Sequence, residues 1–185
     1  MSDLQPGLIY FGSSQPSANL LERLLVDKQL NILAVVTAAP KAGAHHHQQQ
    51  TPVSTVAETY HLPCLRPAKI GEAIDELTQL KPQAGLLFAY GAMLPQAVLD
   101  IFPLGIINLH PSLLPLHRGP TPYEAAILAG DTESGVTLIR LTDKMDAGPI
   151  LAQAKLPLND TTSKPELTQQ LNELGYELIR SALPA

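Results

Sequence analysis

Short apolar runs alternate with amphipathic helical patterns along this chain, and that alternation limits its fold more than any other feature. Residues 7–12, 31–37, 84–89 and 105–110 read as buried strands. The helical stripe predicted from Ser17 to Lys28 consists of Leu20, Leu21, Leu24 and Leu25. Strands that alternate with helices favour βαβ units, so the sequence predicts a three-layer α/β fold with a mostly parallel sheet.

The second half of the chain carries two capping patterns that mark helix starts. Residues 121–124 (TPYE) and 163–166 (SKPE) each place a hydroxyl residue before a glutamate, with a proline between them. The second pattern opens a helix predicted over 164–182, and a further strand is predicted from Gly135 to Leu141. Residues 38–53 have no periodicity and are typical of a long functional loop or a mobile linker.

Size and composition limit the class of protein. The chain has 185 residues, 45% of them hydrophobic, and no internal boundary, so residues 1–185 are predicted to form one domain. The single cysteine, Cys64, excludes an intramolecular disulfide and suits a reducing compartment. No apolar run is long enough to span a bilayer, and the start has no secretory pattern. We expect a cytoplasmic monomer with no membrane contact.

A candidate catalytic group lies at the end of the fourth predicted strand. Asn108 and His110 are two positions apart, so they share one face of the strand. Asp146 lies in the loop after the strand predicted from Gly135 to Leu141, and loops at the carboxyl ends of parallel strands converge. No serine or cysteine nucleophile motif accompanies these residues, whereas an amide, an imidazole and a carboxylate suit direct acyl transfer to an amine.

Other interpretations of the polar residues remain open. Asn108 and His110 are also compatible with polar core residues whose hydrogen bonds are satisfied at a strand end. The tract His45–His47 invites a metal-binding interpretation, but adjacent histidines in a loop do not preset a coordination geometry, so no metal is expected. The net charge of −5 argues against strong nonspecific binding of nucleic acid by this chain alone.

The motifs resemble those of a known enzyme family. The segment INLHPSLLPLHRGPTPYEAAILAGDTESGVTLIRLTDKMDAGPIL and the upstream FAYGAMLP resemble the 10-formyltetrahydrofolate-dependent formyltransferases, and the likeness runs from IYFGSS to the last helix. The resemblance implies a Rossmann-like α/β/α formyltransferase fold with 10-formyltetrahydrofolate as co-substrate. It also implies that Asn108 and His110 polarise the formyl carbonyl and hold the tetrahedral oxyanion. Asp146 would orient or charge His110 and assist proton movement from the attacking amine.

The resemblance further implies residues that bind the two substrates. The folate would be held, largely through backbone groups, by Tyr90, Gly91, Met93, Leu94, Ser112, Leu113, Leu114, Pro115, Leu141, Thr142, Asp143 and Lys144. Contacts with the acceptor substrate would come from Lys41, His117 and Arg118.

The acceptor implied by the resemblance is methionyl-initiator tRNA. The segments AYGAMLP and LHRGPTPYEAAILAGDTESGVT look most like the family members that formylate this tRNA, whereas the glycinamide ribonucleotide enzymes carry a glycine-rich loop where this chain has Gly12–Pro16. Two departures predict weak tRNA binding by this chain alone. Residues 38–53 keep Lys41 as their one cation, and the chain ends where the family's tRNA-binding C-terminal barrel would begin. Alternatives are a small amine, such as glycinamide ribonucleotide or an amino sugar nucleotide, and a catalytically silent folate-binding domain.

Overall fold

The apolar runs form the strands of a sheet in a computed structural model, which describes residues 5–39, 41–42 and 48–183. In chain order the strands are β1 (Gly7–Phe11), β2 (Asn31–Val36), β3 (Lys41–Ala42), β4 (Gln48–Gln49), β5 (Cys64–Leu65), β6 (Ala84–Leu87), β7 (Ile106–His110), β8 (Glu133–Arg140) and β9 (Ile150–Pro157). Seven of them form one sheet in the order β5-β2-β1-β6-β7-β8-β9. This mostly parallel sheet with helices confirms the predicted α/β class.

Six α-helices accompany the strands in the described part of the chain. They are α1 (Gln15–Asp27), α2 (Pro52–Thr59), α3 (Ile74–Gln79), α4 (Gln96–Leu99), α5 (Pro122–Ala129) and α6 (Lys164–Ala182), and a 3-10 helix (Ile70–Ala73) leads into α3. None of the helices in the described part of the chain has the length and apolarity to cross a membrane. The chain divides into two compact units, Met1–Ile106 and Ile107–Ala185.

The first unit has parallel strand pairing. β1 pairs with β2 and with β6, and β2 also pairs with β5, in each case parallel. Ile9, Tyr10 and Phe11 of β1 are fully buried, as continuous apolar strands of a parallel sheet usually are. Helix α1 starts at Gln15, two residues before the predicted Ser17, because the Ser14 side chain accepts the backbone N–H of Ser17 and so caps an earlier turn.

The second unit has antiparallel strand pairing and the longest of the described helices. β7 pairs with β8, and β8 pairs with β9, both antiparallel, with α6 packed against β8 and β9. A Cβ atom on Gly175 of α6 would lie 2.6 Å from Cδ2 of Leu109, so the helix needs glycine to approach β7 this closely. Leu109 therefore faces α6. Because side chains alternate along a strand, Asn108 and His110 lie on the opposite face, as predicted.

Several local predictions need correction. Strand β9 was not predicted, because its residues are half-buried or exposed and show no continuous apolar run. Residues 38–53 are not entirely loop, since β3 and β4 form a short antiparallel pair and α2 begins at Pro52. Thr121 precedes α5 but its side chain makes no capping bond, whereas Ser163 accepts the N–H of Glu166 as predicted for α6. The tract His45–His47 lies outside the described residues.

Candidate active site

Asn108, His110 and Asp146 lie together in the second unit. Asn108 and His110 are buried, with 7% and 4% of their surface exposed, and the Asp146 side chain is 11% exposed. The Asn108 amide nitrogen Nδ2 is 3.4 Å from Asp146 Oδ1, and Nδ1 of His110 is 3.6 Å from the same oxygen. The structure thus brings the three residues predicted to act in catalysis within reach of one another.

The strand arrangement that brings Asp146 to the site differs from the predicted one. β8 is antiparallel to β7, so its last residue, Arg140, lies opposite Ile107 rather than opposite His110. The loop between β8 and β9 must fold back along β7 for Asp146 to reach the strand's carboxyl end. A Cβ atom on Gly148 would lie 1.8 Å from the Arg140 carbonyl oxygen, so this glycine permits the tight return. Asp146 therefore lies beside Asn108 and His110 because this loop folds back, and not because the ends of parallel strands converge as expected.

Both ring nitrogens of His110 face oxygen atoms. Nε2 lies 3.0 Å from the backbone carbonyl of His117, and a carbonyl can only accept, so Nε2 carries a proton. Nδ1 faces the Asp146 carboxylate. At 3.6 Å this second contact is longer than a hydrogen bond, so Asp146 acts on the ring through the proximity of its carboxylate.

The loop before α5 contacts both His110 and Asp146. The backbone N–H of Gly119 donates to Asp146 Oδ2 at 2.8 Å. Nε2 of His117 donates to the Asp131 carboxylate at 2.5 Å, so this ring nitrogen is already engaged. Arg118, between them, is exposed. Sequence reasoning identified His117 and Arg118 but missed Gly119 in the same loop and Asp131 after α5. Their roles depend on tertiary contacts that no local pattern predicts.

A buried network holds the turn that follows β7. The Thr137 hydroxyl donates to the Ser112 carbonyl at 2.7 Å and accepts from the Leu114 N–H at 3.1 Å and from Gln153 Nε2 at 2.9 Å. Gln153 Nε2 also donates to the Leu114 carbonyl at 2.8 Å. Thr137 and Ser112 are fully buried, and the hydroxyl uses its one donor and both acceptors. Neither Thr137 nor Gln153 was predicted, since their role depends on strand register.

The remaining turn residues predicted to bind folate differ in their exposure. Leu114 is buried, Leu113 is half-buried and Pro115 is exposed, and the bond between Leu114 and Pro115 is cis. In the loop after β8, Leu141 and Thr142 are half-buried, whereas Asp143 and Lys144 are exposed. Their predicted contact with folate stays a prediction.

The first unit holds the other predicted folate residues. Tyr90 is buried, its ring packs edge-on against Phe11, and burial raises the pKa of its hydroxyl. Gly91 has a φ of 88°, which a side chain would disfavour. Met93 is 52% exposed, whereas Leu94 is 6% exposed and belongs to the core. The Met93 side chain is therefore accessible to a ligand, whereas the Leu94 side chain packs in the core.

A second polar cluster, made of Ser13, Thr37 and Thr51, was missed by sequence reasoning. The Ser13 hydroxyl donates to the Tyr90 carbonyl at 3.0 Å and accepts from the Ala38 N–H at 3.1 Å. The hydroxyls of Thr37 and Thr51 are 2.7 Å apart. The cluster joins the segments that follow β1, β2 and β6, and isolated hydroxyl residues in loops give no sequence signal for such a meeting.

No metal centre is visible in the described ranges. Within residues 5–39, 41–42 and 48–183, no three His, Cys, Asp or Glu residues form a group that could hold a metal ion. Lys41 is described in its backbone only, so its predicted contact with the acceptor stays a prediction.

Comparisons with known proteins place this chain in a family. A family model described as formyl transferase matches residues 8–183. The chain is similar to the methionyl-tRNA formyltransferase of Chloroflexus aurantiacus, with 41% identity over 96% of the chain and 58% of the relative. A similar match, with 41% identity over 96% of the chain and 56% of the relative, is the methionyl-tRNA formyltransferase of Roseiflexus sp.. The chain thus spans less than three-fifths of the length of these curated relatives.

A solved structure shares the fold. The phosphoribosylglycinamide formyltransferase from Bacillus halodurans superimposes with a TM-score of 0.82, covering 96% of this chain and 93% of that protein. The identity is 21%, so this likeness concerns the fold alone.

Proposed function

Because the chain belongs to the formyl transferase family, we propose that it transfers a formyl group from 10-formyltetrahydrofolate to the amino group of methionyl-initiator tRNA. The observation that carries the proposal is the buried group of Asn108, His110 and Asp146 in one unit. The cytoplasm is the proposed location and a monomer is the proposed state.

The three side chains suit the charges that develop during the reaction. When the amine nitrogen bonds to the formyl carbon, the carbonyl oxygen becomes an oxyanion, and donors already in place lower the free energy of that state. Asn108 can serve because its amide has two hydrogens, and the bond to Asp146 uses one. His110 lies on the same face of β7 as Asn108, and the Asp146 carboxylate, 3.6 Å from Nδ1, orients its ring toward the reacting carbonyl. The oxyanion then re-forms the carbonyl as the bond from the formyl carbon to the folate nitrogen breaks. The Asp146 carboxylate assists transfer of the proton that the amine loses, and the leaving folate nitrogen takes up a proton.

The folate supplies the formyl group, and the turn at Ser112–Pro115 is the proposed rigid wall of its site. The Thr137 and Gln153 bonds fix the backbone of this turn, so its carbonyl and N–H groups are held in place before a ligand arrives. Such preorganisation spares a ligand the cost of ordering the loop. Met93 and the exposed residues of the 141–144 loop are the further proposed contacts.

The names of the curated relatives support methionyl-tRNA as the acceptor. The formal net charge of −5 disfavours phosphate contacts, so we propose that this chain alone binds tRNA weakly and loses that binding steeply as salt rises. Lys41, His117 and Arg118 remain the proposed acceptor contacts, with His117 contributing through the part of its ring that Asp131 does not engage.

A formyl-transfer assay with a panel of acceptors tests the proposal. Charged methionyl-initiator tRNA, glycinamide ribonucleotide, an amino sugar nucleotide and free methionine are each supplied with 10-formyltetrahydrofolate, and formylated product is measured. We expect product with methionyl-tRNA at high concentration and little with the others. Preferred formylation of a small amine would overturn the acceptor, and folate binding without any transfer would make the chain a silent folate-binding domain. The same assay applies to His110→Ala, which should form little product. His61→Ala, at an exposed histidine, is the matched control.

A further inference from the structure

The segment His117–Gly119 contacts both ionisable members of the candidate active site. The His117 carbonyl accepts from His110 Nε2 at 3.0 Å. The Gly119 N–H donates to Asp146 Oδ2 at 2.8 Å. A displacement of this short segment would therefore move the acceptor of one residue and the donor of the other at the same time.

The segment is tied to the end of α5 through a side chain. Nε2 of His117 donates to the Asp131 carboxylate, and Asp131 directly follows Gly130, whose left-handed conformation ends the helix. The side chains of His117 and Asp131 are largely buried, with 20% and 27% of their surfaces exposed. A charge-assisted bond with this little solvent access is stronger and better ordered than one at an open surface.

The backbone conformation of the segment needs such an anchor. His117 has a φ of 52° and Gly119 a φ of 98°. The left-handed region is disfavoured for a residue with a side chain, and it persists only where surrounding contacts over-determine it. The bond to Asp131 is a contact of that kind, because it fixes the His117 side chain relative to α5.

From these contacts we infer that His117 and Asp131 are positioning residues, which hold the His117–Gly119 segment so that it orients the His110 ring and the Asp146 carboxylate. Neither residue touches a reacting atom in this role. The consequence for catalysis rests on the proposed function, whereas the orientation of the His110 ring does not.

Kinetics of matched variants test the catalytic consequence. His117→Gly removes the side chain but tolerates the left-handed backbone, and Asp131→Ala removes the acceptor. We expect each to lower kcat about 10- to 100-fold with little change in the KM for folate, because misplacing a catalytic group by about 1 Å has effects of this size. The double variant should be no worse than either single one, since both changes remove the same bond.

Two further variants separate the bond from a general loss of structure. His117→Gln should restore part of kcat, because the glutamine amide nitrogen extends about as far as the imidazole Nε2 and can donate to Asp131. Glu133→Gln breaks an exposed ion pair with Lys155 on β8 and β9 and should leave kcat unchanged. A full-size loss in His117→Gln, or an equal loss in Glu133→Gln, would overturn the assignment.

Nitrogen-15 NMR of the His110 ring provides a readout that needs no activity. The Nε2 proton of His110, assigned by its disappearance in His110→Gln, should be visible in the wild-type protein and exchange rapidly in His117→Gly and in Asp131→Ala. Retention of this signal in both variants would overturn the inference. A further outcome is a His110 signal that depends on His117 and Asp131 while the wild-type protein transfers no formyl group. In that case the positioning role stands and the proposed function fails.

Discussion

The two compact units assemble their polar clusters by different routes. In the first, Ser13, Thr37 and Tyr90 each follow the end of a parallel strand, and these ends meet as parallel sheets require. In the second, Asp146 follows a strand that is antiparallel to the one carrying His110, and a folded-back loop carries it to the site. Strand order alone locates the first cluster, whereas the second also depends on how a hairpin loop returns.

The clusters also differ in chemistry. The first consists of hydroxyl and backbone groups that satisfy one another, so it carries no charge and offers no strong acid or base. The second places an imidazole, whose Nε2 donates to a backbone carbonyl, 3.6 Å from a carboxylate. We therefore expect substitutions in the second cluster to affect the reaction, and substitutions in the first to affect mainly stability.

The largest expected effect is on turnover. His110→Ala should lower kcat by about two orders of magnitude or more with little change in folate affinity, because it removes a donor to a charge that develops only in the transition state. Ser13→Ala in the first unit should lower kcat by less than about tenfold, since its bonds are structural. Steady-state kinetics measures kcat of both variants, and a titration measures their folate affinity. Equal losses of kcat in the two variants would contradict the expected difference between the two clusters.

A smaller effect is expected on the free energy of unfolding. Thr137→Val should lower it by about 2–3 kcal/mol, because the Ser112 carbonyl and the Leu114 N–H lose their partner in a buried place. Thr37→Val should cost only about 1 kcal/mol, because its partners are hydroxyls that can rotate to others. Denaturant unfolding measures both values, and Thr137→Ser, which keeps the hydroxyl, is the control. Equal costs for the two valine variants would contradict the argument.

The first unit is expected to contribute to folate binding through Met93. A reduced folate should raise the melting temperature of the wild-type protein, by preferential binding to the native state, and Met93→Glu should reduce that shift. Met93 is 52% exposed, so the charged variant should fold, whereas a charge at the buried Leu94 would test folding instead. Val26→Glu, on exposed α1 surface, is the control. An undiminished shift in Met93→Glu would remove Met93 from the proposed site.

The smallest effect is expected from an exposed ion pair in each unit. The bond from Lys164 holds the pKa of the Glu124 carboxyl below its usual range. A lowered pKa contributes stability above the unfolded value that is lost as the pH falls through the folded one. Glu124→Gln should therefore cost less than about 1 kcal/mol at neutral pH and nothing in acid. Thermal unfolding across pH measures this cost, and a larger cost in acid would contradict the expected sign. Glu58→Gln, which breaks the exposed bond to Arg66 in the first unit, should likewise cost less than about 1 kcal/mol at neutral pH.

Local patterns predicted α6 and the main strands, and they did so for a physical reason. The Ser163 cap and the leucine stripe of α6 are properties of neighbouring residues, so the predicted range 164–182 matches the observed helix. The same reasoning failed at Thr121, where a capping pattern is present but the side chain makes no capping bond. Local pattern establishes where a helix begins more reliably than it establishes the bonds at that end.

The supporting residues of the site could not be predicted in the same way. Thr137 reads as one more residue of an apolar strand, and its three bonds exist because antiparallel register places it opposite His110 and beside the turn. Gln153 lies on β9, whose pattern gives no strand signal. Asp131 and Gly119 act through a loop whose course depends on tertiary contacts. Such roles follow from register and fold-back, which a single sequence does not state.

Strand β9 carries residues that bear on strand pairing between molecules. It is the last strand in the sheet order, so one of its edges has no neighbouring strand among the described residues. An unpaired edge can template the addition of a strand from another molecule, and the exposed Ile150 and Leu151 increase that tendency. Lys155 carries a charge along the strand, and Pro157 at its end has no N–H to offer. A charge and a missing donor are both features that disfavour pairing of one strand edge with another.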